Sequence, residues 1–463
     1  MSISAIALNR FGLGARPDED APGNGKAWLE HQLADYDPAP AAWAALPGST
    51  ALADAFNRQQ AAIRAAPDEN AKQPVRMALN LATRDAYRAA VNARATAALA
   101  TQAPFVERLV HFWSNHFAVS GEKPEVTTFA GSFEAEAIRP HVLGRFEDLL
   151  TAVERHPAMQ FYLDQTRSIG PNSPLATRVA ARNPAKRPGL NENLAREIME
   201  LHTLGVRTGY SQADVTEFAR ALTGWGLIGM GAGSAGHGVA GPTASFVFRP
   251  QLHEPGTRRI IGRAYPQSGE DQPLAVLHDL AASPATANHL ATKLVRHFVA
   301  DDPPPAMVKR VAAAFTDSRG DLPAVYRAMV ASPEAWHPQP AKFKTPWEWM
   351  ISSMRGLGLN DPGNMQMAPL LLQLGQQIWR PGSPAGFDDV AASWAAPDAL
   401  LRRVEMAQRL CARIGDRVDP RTLGDLILPD GALTDATRQA VSRAESAAVG
   451  LALLLVSPEF QRR

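Results

Sequence analysis

The stretch NENLAREIMELHTLGV, residues Asn191–Val206, reads as a helix with two distinct faces. At helical spacing Asn193, Arg196, Glu197 and Glu200 fall at i, i+3, i+4 and i+7 along one side. Leu194, Ile198, Leu201 and Gly205 form an apolar stripe, and His202 sits near the boundary between the two. A polar face alone is ordinary for a surface helix. The residue types are less ordinary. An amide, a guanidinium, two carboxylates one turn apart and an imidazole are the groups that metal sites and acid–base sites use.

Helical periodicity extends outward from this stretch in both directions. Trp28–Leu33 is a short amphipathic piece, and Met77–Ala103 reads as one long alanine-rich helix. Pro38, Pro40 and Pro47 break the chain between them. Alanine favours helix but supplies little core volume, so these helices are expected to pack closely as scaffold. FVERLVHFWSNHFAVS (105–120) predicts a helix with an extended exit. The 134–164 segment predicts two more helices, with Pro140 tolerated in the first turn of the second. A polar loop, Thr166–Gly189, leads into the opening helix, and Ser211 with Asp214 forms a capping box for the next.

Between Gly226 and Gly241 seven glycines occur without apolar periodicity, which predicts a loop. SFVFRPQLHEPGTRRIIG (245–262) predicts a two-stranded hairpin turning near His253–Gly256. Helices return from Leu274, one opening at Pro346 and an apolar one near Ala448–Val456. The expected fold is therefore mainly α: a multi-helix globular fold with one small β-hairpin insertion. Its regions are expected to be a scaffold (1–103), a central helical region with the candidate site (104–226), the glycine-rich loop and hairpin (227–272) and a C-terminal helical region (273–463). They are expected to pack as one compact unit.

Composition narrows the function classes. The chain has 463 residues, 45% hydrophobic and 20% charged, as in ordinary globular proteins. A formal charge of +1 argues against a dedicated nucleic-acid binder. A single cysteine, Cys411, excludes an intrachain disulfide framework and multi-cysteine metal sites. No apolar run is long enough for a membrane span, and Ile3–Leu8 is too short for a signal segment. The expectation is a cytoplasmic protein, with export in complex with a partner left open. Phosphate-binding loop, nucleophile elbow and dinucleotide fingerprint are all missing.

Five of the twelve histidines fall between His111 and His202. His111 shares a helical face with Asn115, whereas His116 reads as a core histidine. The Glu197–Glu200 pair supports three readings: metal ligands, an acid–base pair, or a structural ion-pair network. The candidate divalent-metal ligands are His111, Glu197, Glu200 and His202. The candidate catalytic groups are Glu197, Glu200 and Arg196, with Asn193, Asn115 and His253 binding substrate. His253, beside Glu254 and the glycine-rich loop, would belong to a lid.

RFGLGARP (10–17), LVHFWSNHFAVS (109–120), the 138–164 segment, the opening stretch and GYSQADVTEFARALTGW (209–225) together resemble the bacterial domain of unknown function 1800. The resemblance runs from about Asn9 to Ser457. It implies a largely helical fold and assigns no activity. It also implies a partner, because relatives are often encoded beside a sulfatase-like protein of the domain of unknown function 1501 type. One element departs from the family. Where relatives carry Pro-Pro-Asn-Val-x-Gly-Trp after Leu-Gly-Gln, this chain reads LGQQIWRPGSPAGFDDV (374–390), with Gly386 kept and Phe387 in place of tryptophan. Two functions from different classes stay open: an enzyme, hydrolase or oxidoreductase, with its site around the 191–202 helix, or a non-catalytic assembly partner.

Overall fold

The computed structural model describes residues 2–183, 189–231, 239–429 and 431–463. The fold is mainly α. Among the described residues the only sheets are two antiparallel strand pairs, and no helix is long and apolar enough to cross a membrane. Residues 184–188 of the expected polar loop and 232–238 of the glycine-rich loop lie outside the described residues.

The long scaffold helix starts earlier than predicted, at Glu69, and runs to Ala100. Asp68 caps it by accepting from the Ala71 amide, and the helix continues through Pro74. Pro74 lies in the second turn, past the unpartnered amides of the helix start, so the helix goes without one i→i−4 hydrogen bond there. The inner alanines allow close approach. A Cβ built on Gly131 of the Pro124–Ser132 helix would lie 2.3 Å from the Ala90 Cβ, so only glycine fits that crossing.

Two buried apolar clusters form the core. One is built around Phe11, Phe105, Trp113, Phe117 and Phe146. The other gathers Val91 and Leu99 of the scaffold helix with Trp347, Trp349, Trp379 and the C-terminal helices. The Pro104–His116 helix is buried along nearly its whole length, with Trp113 donating from its indole to Tyr326 Oη at 2.7 Å. The Pro346–Gly356 helix is buried throughout, opened by a Thr345–Glu348 capping box.

Several predictions need correction. The 191–206 stretch is α-helical only over Asn193–Glu197 and then widens into a π-turn, Ile198–His202. The 134–164 segment opens with a π-turn, Phe133–Ile138, and Pro140 lies in a 3-10 turn, Arg139–His141, ahead of the helices Phe146–Arg155 and Pro157–Tyr162. The expected polar loop contains a helix, Pro174–Arg182, capped by Ser173. Both strands of the expected hairpin form but do not pair with each other. Phe246–Phe248 pairs with Trp225–Leu227, and Arg258–Ile260 pairs with Arg263–Tyr265 across a tight turn at Ile261 and Gly262. The Ser211–Asp214 capping box is present as predicted.

Candidate functional site

The π-turn changes the register of the groups that ideal helical spacing aligns, yet Arg196, Glu200 and His202 all stay close enough to act on the charge of Glu197. One extra residue per turn rotates Glu200 and His202 relative to Glu197. Arg196 lies near Glu192 and Glu200, at 3.4 Å and 3.5 Å, and donates to Gln212 at 2.7 Å. Glu197 makes no hydrogen bond or ion pair among the described residues; partial burial raises its pKa, and neighbouring Glu200 adds to the rise. Asn193 is exposed. His202 turns inward, and its Nδ1 lies 2.7 Å from the fully buried carboxylate of Glu154.

The end of this helix is a capping assembly. Carbonyls in a last turn have no partner within the helix. Here Thr203 Oγ1 donates to Ile198 O at 2.6 Å. His289 Nε2 donates to Leu201 O and His116 Nε2 to His202 O, each at 3.1 Å. His116 and His289 therefore satisfy backbone oxygens, and His202 pairs with a carboxylate. Among the described residues no group of three or more His, Cys, Asp or Glu is arranged to hold a metal ion. His111 is not gathered with Glu197, Glu200 and His202. It packs edge-on against Trp347 and lies 3.4 Å from Glu107.

His253 also has a bracing contact. Its Nδ1 donates to Thr223 O at 2.9 Å, while Glu254 accepts from the backbone and side-chain amides of Asn172 at 2.7 and 2.6 Å. A Cβ on Gly170 would sit 2.7 Å from the Glu254 nitrogen, so this turn is packed under the 168–174 segment.

The concave site lies elsewhere, and it takes in two of the predicted residues. A cleft of about 70 Å³ is lined by His111, Ser114 and Asn115 of the Pro104–His116 helix, by Trp347 and Glu348, and by the divergent 380–389 loop. Asn115 clamps that loop as a strand would: its Nδ2 donates to Phe387 O at 2.9 Å and its Oδ1 accepts from Phe387 N at 2.7 Å. Gly386 has a φ of +85°, and a Cβ there would lie 2.3 Å from Asn115 O. Both facts restrict this position to glycine.

The cationic wall of the cleft is internally balanced. Arg94 pairs with buried Glu134 at 2.9 Å and stacks over the Trp347 ring at 4.3 Å. Glu107 pairs with Arg139, which with His111 brings its pKa down to about 2 although burial alone would raise it. Arg108 donates to Gly12 O at 2.7 Å and pairs with Glu348. His111 accepts from the Trp347 indole on Nδ1 at 3.2 Å, and burial together with Arg94 lowers its pKa to about 4.

The remaining pair is different. His297, near the end of the Pro284–Phe298 helix, lies with its Nδ1 2.6 Å from Asp389 Oδ2. Burial alone would raise the Asp389 pKa, yet the hydrogen bond from His297 and the charges of Lys342 and Arg463 hold it well below the usual carboxylate range. An ionised carboxylate can only accept, so Nδ1 carries the proton and Nε2 of the neutral ring presents a lone pair. Burial keeps His297 neutral by lowering its pKa. Its Nε2 is buried with no hydrogen-bond partner among the described residues, and both residues line the cleft. Sequence reasoning missed this pair. His297 looks like one polar position on an amphipathic helix, and Asp389 lies 92 residues away.

The family described as "Protein of unknown function (DUF1800)" matches residues 6–462. No curated protein and no solved structure matches the chain.

Proposed function

The chain belongs to the DUF1800 family, and from that premise we propose that the His297–Asp389 cleft is an acid–base site for hydrolysis of small, uncharged acyl compounds. The observation that carries this reading is the buried, unpartnered Nε2 of an imidazole whose other nitrogen is fixed by an ionised aspartate. Such a nitrogen can take a proton from water as water attacks a carbonyl, then return it to the leaving group. Asp389 holds the tautomer and stabilises the imidazolium as it forms.

The substrate class follows from the surroundings. A volume of about 70 Å³ admits the reacting end of a small molecule and no folded partner. Arg94 and Arg108 are already paired with Glu134 and Glu348, so free positive charge does not select the ligand. The Asn115 amide is committed to Phe387. Glu197, Glu200 and Arg196 have no part in this mechanism.

The test is turnover of 4-nitrophenyl acetate by wild type, His297→Gln, Asp389→Asn and, as a control, Glu197→Gln. General-base loss is expected to lower kcat/KM by about 10²–10⁴-fold in His297→Gln, with Glu197→Gln unchanged. Wild-type hydrolysis no faster than buffer, or hydrolysis that survives His297→Gln, would reject the assignment.

A further inference from the structure

The 376–381 segment has two faces. Gln376, Ile378, Trp379 and Pro381 line the cleft, while Gln377 and Arg380 line a second cavity of about 380 Å³. Tyr87 of that second cavity donates from its hydroxyl to Ile378 O at 2.8 Å, so the two spaces share a wall. Trp379 holds a φ of +50°, a conformation that side-chain-bearing residues rarely adopt.

The charge balance of the second cavity is unlike that of the first. Arg84 and Arg88, one turn apart on the Glu69–Ala100 helix, converge there with Arg380, and Glu122 is the one carboxylate in the lining. Arg88 has no hydrogen bond or ion pair among the described residues. Two turns further along the same helix, Arg94 is buried and paired with Glu134. Arg84 lies 3.6 Å from Asp85 of its own helix, and Arg380 is fixed by a 2.5 Å hydrogen bond from Nε to Gly121 O. Like charges one helical turn apart repel, and among the described residues only Arg84 of the three guanidiniums has a carboxylate within 4 Å, so the cluster carries a positive excess.

Two more features bear on this excess. The Pro124–Ser132 helix opens at this cavity, through Pro124 and Thr127, without a side-chain cap. The helix start adds little to the field there, because Pro124 has no N–H, the Thr127 amide donates to Lys123 O, and Glu125 stands in the first turn. The apolar part of the cavity contains Ala368, Pro369 and Leu372, the last 56% exposed. An anion held by guanidiniums beside such a surface would carry an apolar body.

We infer that this cavity binds a small organic oxyanion, a carboxylate or phosphate monoester carrying an apolar group. Guanidinium forks match both anions, through paired hydrogen bonds. The site goes beyond the hydrolytic reading and shares no residue with the His297–Asp389 pair.

The experiment is isothermal titration of the whole chain with phenyl phosphate, benzoate and, as a neutral probe, benzyl alcohol. It is run on wild type, Arg88→Gln, Arg84→Gln/Arg88→Gln, Leu372→Ser and His297→Gln. At least one anion is expected to saturate a single site and to weaken as salt rises, and the preferred anion identifies the source chemistry. Each lost guanidinium is expected to weaken binding about tenfold. Leu372→Ser is expected to weaken it less, and His297→Gln is expected to leave it unchanged, so hydrolysis and anion binding can fail separately. Absence of saturable binding, equal binding of benzyl alcohol, or anion binding untouched by the double arginine variant would overturn the inference. Melting temperatures of the variants, expected to match wild type because Arg84 is exposed and Arg88 is partly exposed, exclude unfolding as the cause.

Discussion

Histidine shows how one side chain takes its role from its two ring nitrogens. His116 and His289 donate to helix-end carbonyls and so act as caps. His202 is held by buried Glu154. Among the described residues His297 alone combines an aspartate on Nδ1 with a buried, unpartnered Nε2 on a ring that lines the cleft. These roles set different mutational outcomes. Glu154→Ala leaves His202 buried without its partner and is expected to cost about 1–3 kcal/mol in urea unfolding. Glu197→Gln, at a group with no hydrogen bond or ion pair among the described residues, is expected to stay within about 0.5 kcal/mol of wild type. Gly386→Ala, forced into a left-handed backbone against Asn115 O, is expected to destabilise by about 1–3 kcal/mol and to abolish ester turnover. His111 and Asn115 could be singled out from the sequence because they share one helical face. The His297–Asp389 contact could not, since nothing local marks a pairing across 92 residues.

At the scale of elements, what could be read was the kind of segment, and what could not was the local departure from ideal geometry. The capping signals Ser211–Asp214 and Pro346 are chemical and local, and both hold. The π-turn at Ile198–His202 has no such signal, because its carbonyls are satisfied by His116 and His289 from distant helices. That register shift turns His202 inward to Glu154, while Arg196 and Glu200 stay beside Glu197. The β pairing was misread for the same reason: Phe246–Phe248 finds its partner in Trp225–Leu227, across the glycine-rich segment, rather than in the next strand along. If the histidine caps hold this helix end, His289→Ala exposes Leu201 O and removes packing against Gly205. A loss of about 1–2 kcal/mol is expected. Hydrogen exchange should quicken around residues 198–205 first, and uniform quickening across the molecule would contradict a local cap.

For the whole molecule, burial of neutral imidazoles ties stability to pH. Burial lowers the pKa of His111 and of His289 to about 4, and lowers those of His116 and His297. In the unfolded chain each reverts to the ordinary value of 6.5 and binds a proton more readily. Their contribution to stability is thus complete above pH 6.5 and is lost as pH falls toward 4. Each histidine contributes up to about 1.4 kcal/mol per pH unit in that window. The melting temperature is expected to fall steeply on acidification through it, and a flat profile would show that these rings titrate normally in the folded protein. The cleft itself depends on the whole molecule. Leu13, His111, His297, Trp347 and Asp389 meet there from across the sequence, and its wall joins both apolar clusters. Mainly helical architecture could be read from periodicity, but a site assembled from such distant segments could not.

The central claim concerns the protonation state of one ring, and ¹⁵N NMR of histidine-labelled protein reads it without a substrate. Assignment by His297→Gln identifies the signal. His297 is expected to be neutral at pH 7 with the proton on Nδ1 and a bare Nε2, staying neutral below the ordinary histidine range and losing that tautomer preference in Asp389→Asn. A proton on Nε2, or an imidazolium at pH 7, would contradict it.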